Sequence, residues 1–173
     1  MAGHTNTVRT TIGFLRSFLA RRLPFMGEGK ELPGIYNYLA LAGVYTTSGQ
    51  PSEAQFGLIR EAGFDQVINL APQSILENAL VDEEGILERL GMEYVHIPVD
   101  FKNPRDEDFH QFLHAVDGAR PGRLWVHCAA NMRVSAFTYR YRVEVLSQDK
   151  TAALADLHRI WQPVGVWKDF IGD

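Results

Sequence analysis

The sequence predicts an α/β fold with a central, largely parallel sheet covered by helices on both faces and preceded by an N-terminal amphipathic arm. Short apolar runs of strand length alternate with amphipathic segments of about ten or more residues, the pattern of strands joined by crossover helices. The chain has 173 residues, 46 % of them hydrophobic and 22 % charged, which suits one globular domain. We place this domain at residues 35–173 and the basic arm with its linker at residues 1–34.

The arm is basic and carries an apolar pattern. Residues 1–27 contain no acid and four arginines, Arg9, Arg16, Arg21 and Arg22. Apolar residues recur near helical spacing over residues 8–26, after a polar start at 1–7 that we expect to be disordered. Three interpretations stay open: a helix packed on the domain or frayed in solution, weak contact with an anionic membrane surface through residues 8–26, and a cleaved targeting segment.

The first half of the domain predicts a strand, a helix and a buried strand. Residues 38–45 are expected to form the strand, and 65–70 the buried strand. Between them Ser52 and Gln55 form a capping box, so a helix begins there and ends at Gly63. Further along, residues 76–90 are a loop followed by a helix, and residues 92–99 are the next strand.

The second half continues the alternation. Residues 106–119 predict an amphipathic helix, 124–126 a strand, 136–146 a second long helix and 151–161 a third, before a tail at 162–173. We expect Trp161 and Trp167 in the core or in a lid. Several acids are expected to form a solvated surface: Glu53, Asp82, Glu83, Glu84 and Glu107.

Polar and reactive residues follow three of these strands. Asn69, Asp100 and Cys128 each come just after a strand, and the carboxyl ends of parallel strands share one edge, where ligands bind. Cys128 opens a tight loop before a helix, where backbone N–H groups and the helix dipole favour a thiolate nucleophile. Because Cys128 is the only cysteine, we expect a reducing, cytoplasmic setting, with no metal and no cofactor.

The loop resembles that of the cysteine-dependent phosphatases, the superfamily of protein-tyrosine and dual-specificity enzymes. That pattern is His-Cys, five residues, Arg, then Ser or Thr, and this chain has His127, Cys128 and Ser135 at the matching positions. The wider HCAANMRVSAF segment, after Gly-Gln-Pro at 49–51, most resembles a small bacterial family of phosphatase-like proteins. The resemblance spans about residues 36–167 and implies a phosphatase-like fold.

The loop departs from the family pattern at its arginine. Four residues separate Cys128 from Arg133, so that Val134 falls where the family arginine belongs. Asn131 replaces the usual glycine, a mild change because asparagine tolerates positive φ well. The shift rotates the arginine by about 100° on a first helical turn, or shortens the loop. A four-residue spacing also resembles the rhodanese sulfurtransferase loop.

The resemblance implies a role for each loop residue. Cys128 attacks phosphorus, Arg133 binds the oxyanion, and His127 supports the loop. Substrate contacts fall to Ala129, Ala130, Asn131, Met132, Val134 and Ser135. Ser135 has two possible roles, a hydrogen bond to the thiolate or a helix N-cap.

A phosphatase also needs a general acid. The resemblance to the dual-specificity enzymes, which carry this aspartate on a loop after a strand about thirty residues before the cysteine, implies Asp100, which lies 28 residues before Cys128. Asp106 and Asp108 are rival candidates, but a place in the first turn of the next helix would explain both of them equally well. A site with no general acid also stays open.

The predicted function is a cysteine-dependent, phosphatase-like hydrolase of phosphate monoesters that forms a thiophosphate intermediate. Its partner would be a phosphorylated small molecule or a phosphoprotein, and the net charge of −4 argues against nucleic acid. Two alternatives stay open: a sulfurtransferase with a persulfide on Cys128, and a catalytically silent oxyanion-binding module. The oligomeric state is not predicted.

Overall fold

The computed structural model of the chain describes residues 2–20 and 31–173. In chain order the α-helices are α1 (Ala2–Ala20), α2 (Glu53–Glu61), α3 (Glu83–Arg89), α4 (Asp106–Asp117), α5 (Met132–Arg140), α6 (Lys150–Ile160) and α7 (Val166–Ile171). Short 3-10 turns lie at Leu32–Gly34 and Ile75–Glu77, and a π-helical turn, Tyr141–Val145, continues α5. In the described ranges, no helix has the length and apolar character needed to cross a membrane.

Five strands form one sheet. They are β1 (Leu39–Ala40), β2 (Thr46–Ser48), β3 (Gln66–Asn69), β4 (Glu93–His96) and β5 (Leu124–His127), in the spatial order β1-β2-β5-β3-β4. Only β1 pairs antiparallel, so the predicted largely parallel sheet is confirmed. The single strand predicted at residues 38–45 is wrong: Gly43, with φ of 74°, turns the chain and makes a β1–β2 hairpin.

Side chains alternate between the two faces of the sheet and fill two cores. Val67 and Trp125 pack with residues of α2 and α3, whereas Ile68 and Val126 pack with residues of α4 to α7. The prediction of helices on both faces is therefore confirmed. Trp161 and Trp167 lie in the second core, as expected.

Element boundaries follow the local signals where these are strong. The capping box of Ser52 and Gln55 is present at the start of α2. The helix after the Cys128 loop begins at Met132 rather than at 136, and the tail contains α7, which the sequence reading missed. Residues 2–7 belong to α1, so their predicted disorder is wrong, and residues 21–26 of the predicted arm helix lie outside the described residues.

Helix α1 packs on the C-terminal end of α6. The Asn6 side-chain amide donates to the His158 carbonyl at 2.8 Å, and the Thr10 hydroxyl donates to the Ile160 carbonyl at 2.5 Å. Thr10 is fully buried. Because the last carbonyls of a helix lack intrahelical partners, these side chains cap α6, and the arm is docked on the domain rather than frayed.

Candidate active site

Cys128 lies at the floor of a cavity at the carboxyl edge of the sheet. It follows β5, which is paired on both sides by the parallel strands β2 and β3. Its side chain is 1 % exposed, and the cavity above it has a volume of about 290 Å³. The predicted edge is therefore where the cysteine and a ligand-sized space meet.

The loop is held in shape by Asn131. This residue has φ of 63° at the N-cap of α5, the positive φ expected where the family has glycine. Its buried amide donates to the Asn37 carbonyl at 2.7 Å and to the Thr47 hydroxyl at 3.0 Å. Gly49 packs so closely against the loop that an added Cβ would lie 3.0 Å from the Ala129 carbonyl oxygen. The loop backbone is thus fixed from two sides.

Backbone N–H groups of the loop are left for a ligand. Within residues 2–20 and 31–173, the hydrogen bonds give no acceptor to the N–H groups of Ala129, Ala130, Met132 and Arg133, while Cys128 N–H donates to Ser48 O and Ser135 N–H donates to Asn131 O. Ala129, Ala130 and Met132 also line the cavity. Consecutive free N–H groups at a helix N-terminus form a concave site for an anion.

Arg133 lines the same cavity, but its guanidinium already has partners. Nη1 and Nη2 donate to the two carboxylate oxygens of Glu77 at 2.9 and 2.8 Å, and Nε donates to the Val99 carbonyl at 2.9 Å. The guanidinium also lies 5.0 Å from the centre of the Phe101 ring. Val134, at the family arginine position, has a fully buried side chain in the core. The Glu77 carboxylate therefore occupies the two Arg133 guanidinium nitrogens that would otherwise bind an oxyanion.

His127 lies beneath the loop in a buried network. Its Nε2 is 3.1 Å from the Glu83 carboxylate, which also accepts hydrogen bonds from the side-chain amides of Gln50 and Asn69. The expectation that Glu83 belongs to a solvated surface is wrong, because this residue is 3 % exposed. Asn69 likewise faces this network, where its Oδ1 accepts from Ala71 N–H at 2.8 Å.

The network sets the protonation of Glu83. Burial alone would raise the pKa of Glu83, but the positive charge of His127 and hydrogen bonds from His127, Gln50 and Tyr94 outweigh burial and lower that pKa below its ordinary value. Glu83 is therefore a carboxylate that fixes His127 in place. The supporting role predicted for His127 has a structural counterpart in this contact.

The remaining predicted residues lie at varied distances from the cavity. Asp100 is exposed, caps Lys102 N–H at 2.9 Å and is not among the residues that line the cavity. Asp106 pairs with Arg140 at 2.7 Å, and Asp108 accepts from Arg105 N–H at the start of α4. The Ser135 hydroxyl donates to the Met132 carbonyl at 2.9 Å, rather than to the thiol, and Asn131 is the N-cap.

Several residues of the cavity were missed by sequence reasoning. Thr10, Thr11 and Phe14 of α1 form one wall, Leu76 and Glu77 another, and Phe101 a third. Glu77 lay in a segment predicted only as loop, without a signal that would pair it with Arg133. For Phe101 the sequence did offer a signal, because this residue directly follows Asp100 at the end of a predicted strand.

A parallel sheet that delivers a cysteine to a loop of free N–H groups at a helix N-terminus is the architecture of phosphatases of the dual-specificity and tyrosine type. The model of one such family, described as DSP-PTPase phosphatase fused to NAD+ kinase, matches residues 41–162. This chain belongs to that phosphatase family, as the loop resemblance implied. No curated protein matches the chain at a significant level.

Solved structures agree with the family. The chain is similar to a candidate phosphatase of the DUF442 group from Shewanella putrefaciens CN-32, with 35 % identity, a TM-score of 0.71, and coverage of 82 % of this chain and 92 % of that one. The core catalytic domain of the PP-IP phosphatase SIW14 from S. cerevisiae, solved in complex with citrate, has a TM-score of 0.67 at 15 % identity, covering 80 % and 85 %. At that identity the second similarity shows the fold alone.

Proposed function

We propose that the protein is a cysteine-dependent hydrolase of phosphate monoesters. The observation that carries the proposal is the loop: Cys128 lies at the floor of a cavity that Ala129, Ala130, Met132 and Arg133 also line, and the backbone N–H groups of these four residues have no acceptor among the described residues. A tetrahedral oxyanion placed above the sulfur would accept from these groups, and their preorganised dipoles stabilise the charge of a phosphoryl transition state.

The proposed reaction has two steps. The Cys128 thiolate attacks phosphorus, an S–P bond forms, and the P–O bond to the leaving group breaks as that oxygen takes a proton from Asp100. Water then attacks phosphorus, Asp100 accepts a proton from this water, and the S–P bond breaks to release phosphate and the thiolate. Asp100 follows Val99, whose carbonyl holds Arg133, so a local movement of the exposed Asp100 loop would bring its carboxylate towards the cavity.

Arg133 has an unusual position in this scheme. Its guanidinium is neutralised by Glu77, so the N–H groups hold the oxyanion unless the ligand displaces the Glu77 carboxylate. A phosphate group matches the same bidentate fork and carries more charge than one carboxylate. The proposal therefore assigns the first binding contact to the loop backbone and a later one to Arg133.

The test is turnover of an aryl phosphate by the wild type and by Cys128→Ser without added metal, over a range of mildly acidic to neutral pH. We expect hydrolysis that disappears in the variant, and activity kept by Cys128→Ser would refute the mechanism. Asp100→Asn should lower kcat by about a hundredfold for a poor leaving group and much less for a good one, because a good leaving group needs no proton.

One observation favours a second candidate, a sulfurtransferase. Among the described residues, Glu77 is the only carboxylate that lines the cavity, and Arg133 already binds it. A reaction that needs no proton donor suits such a site: the Cys128 thiolate attacks the outer sulfur of thiosulfate, an S–S bond forms, and sulfite leaves. Mass spectrometry of the chain after thiosulfate treatment decides this candidate, because a persulfide adds one sulfur atom to Cys128. Asp100→Asn would leave this reaction unchanged.

A further inference from the structure

Helix α1 has an exposed apolar face in addition to the face that packs on the domain. Asn6, Thr10 and Gly13 face inward, where the first two cap α6 and Gly13 packs against the Tyr36 ring. Phe14 also packs against the core. Four apolar side chains point away, with exposures of 57 % for Val8, 63 % for Ile12, 59 % for Leu15 and 41 % for Leu19.

The four exposed residues, which we call the α1 stripe, form one narrow line. Their spacings of four, three and four residues return to the same side of a helix, about opposite to Thr10. At about 1.5 Å per residue the stripe is roughly 16 Å long. A contiguous exposed apolar line of this kind marks a contact surface, whereas single exposed apolar residues do not.

The positive charge beside the α1 stripe indicates which kind of partner the stripe would bind. Arg9 and Arg16, seven residues apart, lie on one flank of the stripe and are exposed, and residues 1–27 contain no acid. The Arg9 guanidinium donates to the Arg159 carbonyl at 2.8 Å, so Arg16 is the residue of the two that we assign to the partner. A second copy seated on the stripe would bring these arginines together with no acid of the same segment between them. An anionic lipid surface instead attracts the arginines and accepts the apolar side chains into its interfacial region.

We propose that the α1 stripe docks on an anionic phospholipid surface, with Arg16 at the headgroups. The proposal concerns binding alone and does not depend on the reaction at Cys128.

The experiment is co-sedimentation of the full chain with phosphatidylcholine vesicles that do or do not contain phosphatidylserine. We expect binding only to the vesicles with phosphatidylserine, weakened by added salt. The double variant Ile12→Asn/Leu15→Asn should lower the bound fraction about tenfold or more, and Arg16→Gln should lower it less. Val145→Asn is the matched control, because Val145 is 49 % exposed but lies on the turn after α5.

Circular dichroism and turnover of a soluble aryl phosphate by the same variants show that the domain is intact. Unchanged turnover with lost vesicle binding supports the proposal independently of the chemistry. Equal binding by the double variant and the wild type would overturn it, as would the absence of binding to phosphatidylserine vesicles. A dimer in solution that Ile12→Asn/Leu15→Asn dissociates would also overturn it, in favour of a second copy.

Discussion

Two carboxylates flank the Cys128 loop, and each is paired with a basic side chain of the motif. Glu83 binds His127 below the loop, where both side chains are at most 2 % exposed. Glu77 binds Arg133 at the cavity, where Glu77 is 24 % exposed and stands on a single 3-10 turn. The first pair belongs to the framework, whereas the second lies where a ligand can compete for it.

This difference separates two functions of charge in the site. A buried pair whose carboxylate accepts several hydrogen bonds fixes geometry, and removal of that carboxylate leaves its donors unpaired. A carboxylate at a cavity wall instead opposes the binding of anions near it. The Glu77 carboxylate thus offsets the charge of Arg133 at the cavity before any phosphate enters.

The largest effect is expected from loss of the framework pair. Glu83→Ala leaves the donors of Gln50, Asn69 and His127 without their shared acceptor, and we expect it to lower the free energy of unfolding by about 3–5 kcal/mol. Urea unfolding measures this loss. Glu84→Ala is the control, because Glu84 is the exposed neighbour on the same helix. Equal losses in the two variants would contradict a framework role for Glu83.

The Glu77–Arg133 pair should affect the binding of phosphate rather than the stability of the fold. Glu77→Gln keeps a hydrogen-bond acceptor for Arg133 but removes the negative charge, so inorganic phosphate should bind about tenfold more tightly, or about 1.4 kcal/mol. Isothermal titration calorimetry measures the dissociation constant. Glu88→Gln changes the net charge of the chain equally at an exposed position and should leave binding unchanged. Weaker phosphate binding by Glu77→Gln would show that Glu77 supports the site rather than competing with its ligand.

The two pairs also show what a sequence can and cannot predict. The strand, loop and helix around Cys128 were predictable, because the apolar run before the loop and Asn131 at a glycine position are local signals. The two carboxylates that pair with His127 and Arg133 were not predictable. Glu83 lies 44 residues from His127, and Glu77 lies 56 residues from Arg133, so both contacts depend on how distant segments pack.

The same limit explains the errors in the fold. Gly43 converts one apolar run into a hairpin, because backbone geometry at a single residue outweighs the strand pattern around it. For helix α1 the sequence left packing on the domain as one of three interpretations, because the Asn6 and Thr10 side chains that dock it on α6 carry no hydrophobic signal. The cavity wall of Thr10 and Phe14 followed from that docking and was therefore invisible in the sequence.

Acid should weaken the framework pair at a defined pH. The folded pKa of Glu83 lies below the ordinary value of 4.5, so the stabilisation from Glu83 is fully present above about pH 4.5 and is lost as the pH falls from there through the lower folded pKa. Glu83→Gln lacks this titration. Its free energy of unfolding should fall less steeply with acid than that of the wild type, by at most about 1.4 kcal/mol per pH unit. Urea unfolding at several acidic pH values checks the slope, and parallel curves would refute it.

The smallest effect is expected at Ser135, which the sequence offered as a donor to the thiolate. Its hydroxyl donates to the Met132 carbonyl, three residues earlier on α5, so Ser135→Ala removes only a local bond. We expect a loss of about 0.5–1 kcal/mol in unfolding free energy. The rate of Cys128 alkylation by iodoacetamide at neutral pH should stay unchanged, with Cys128→Ser as the blank. A clearly altered alkylation rate would show that the Ser135 hydroxyl turns to the sulfur in solution. Ser135 would then act on the ligand, as Arg133 does, rather than on the framework of the loop.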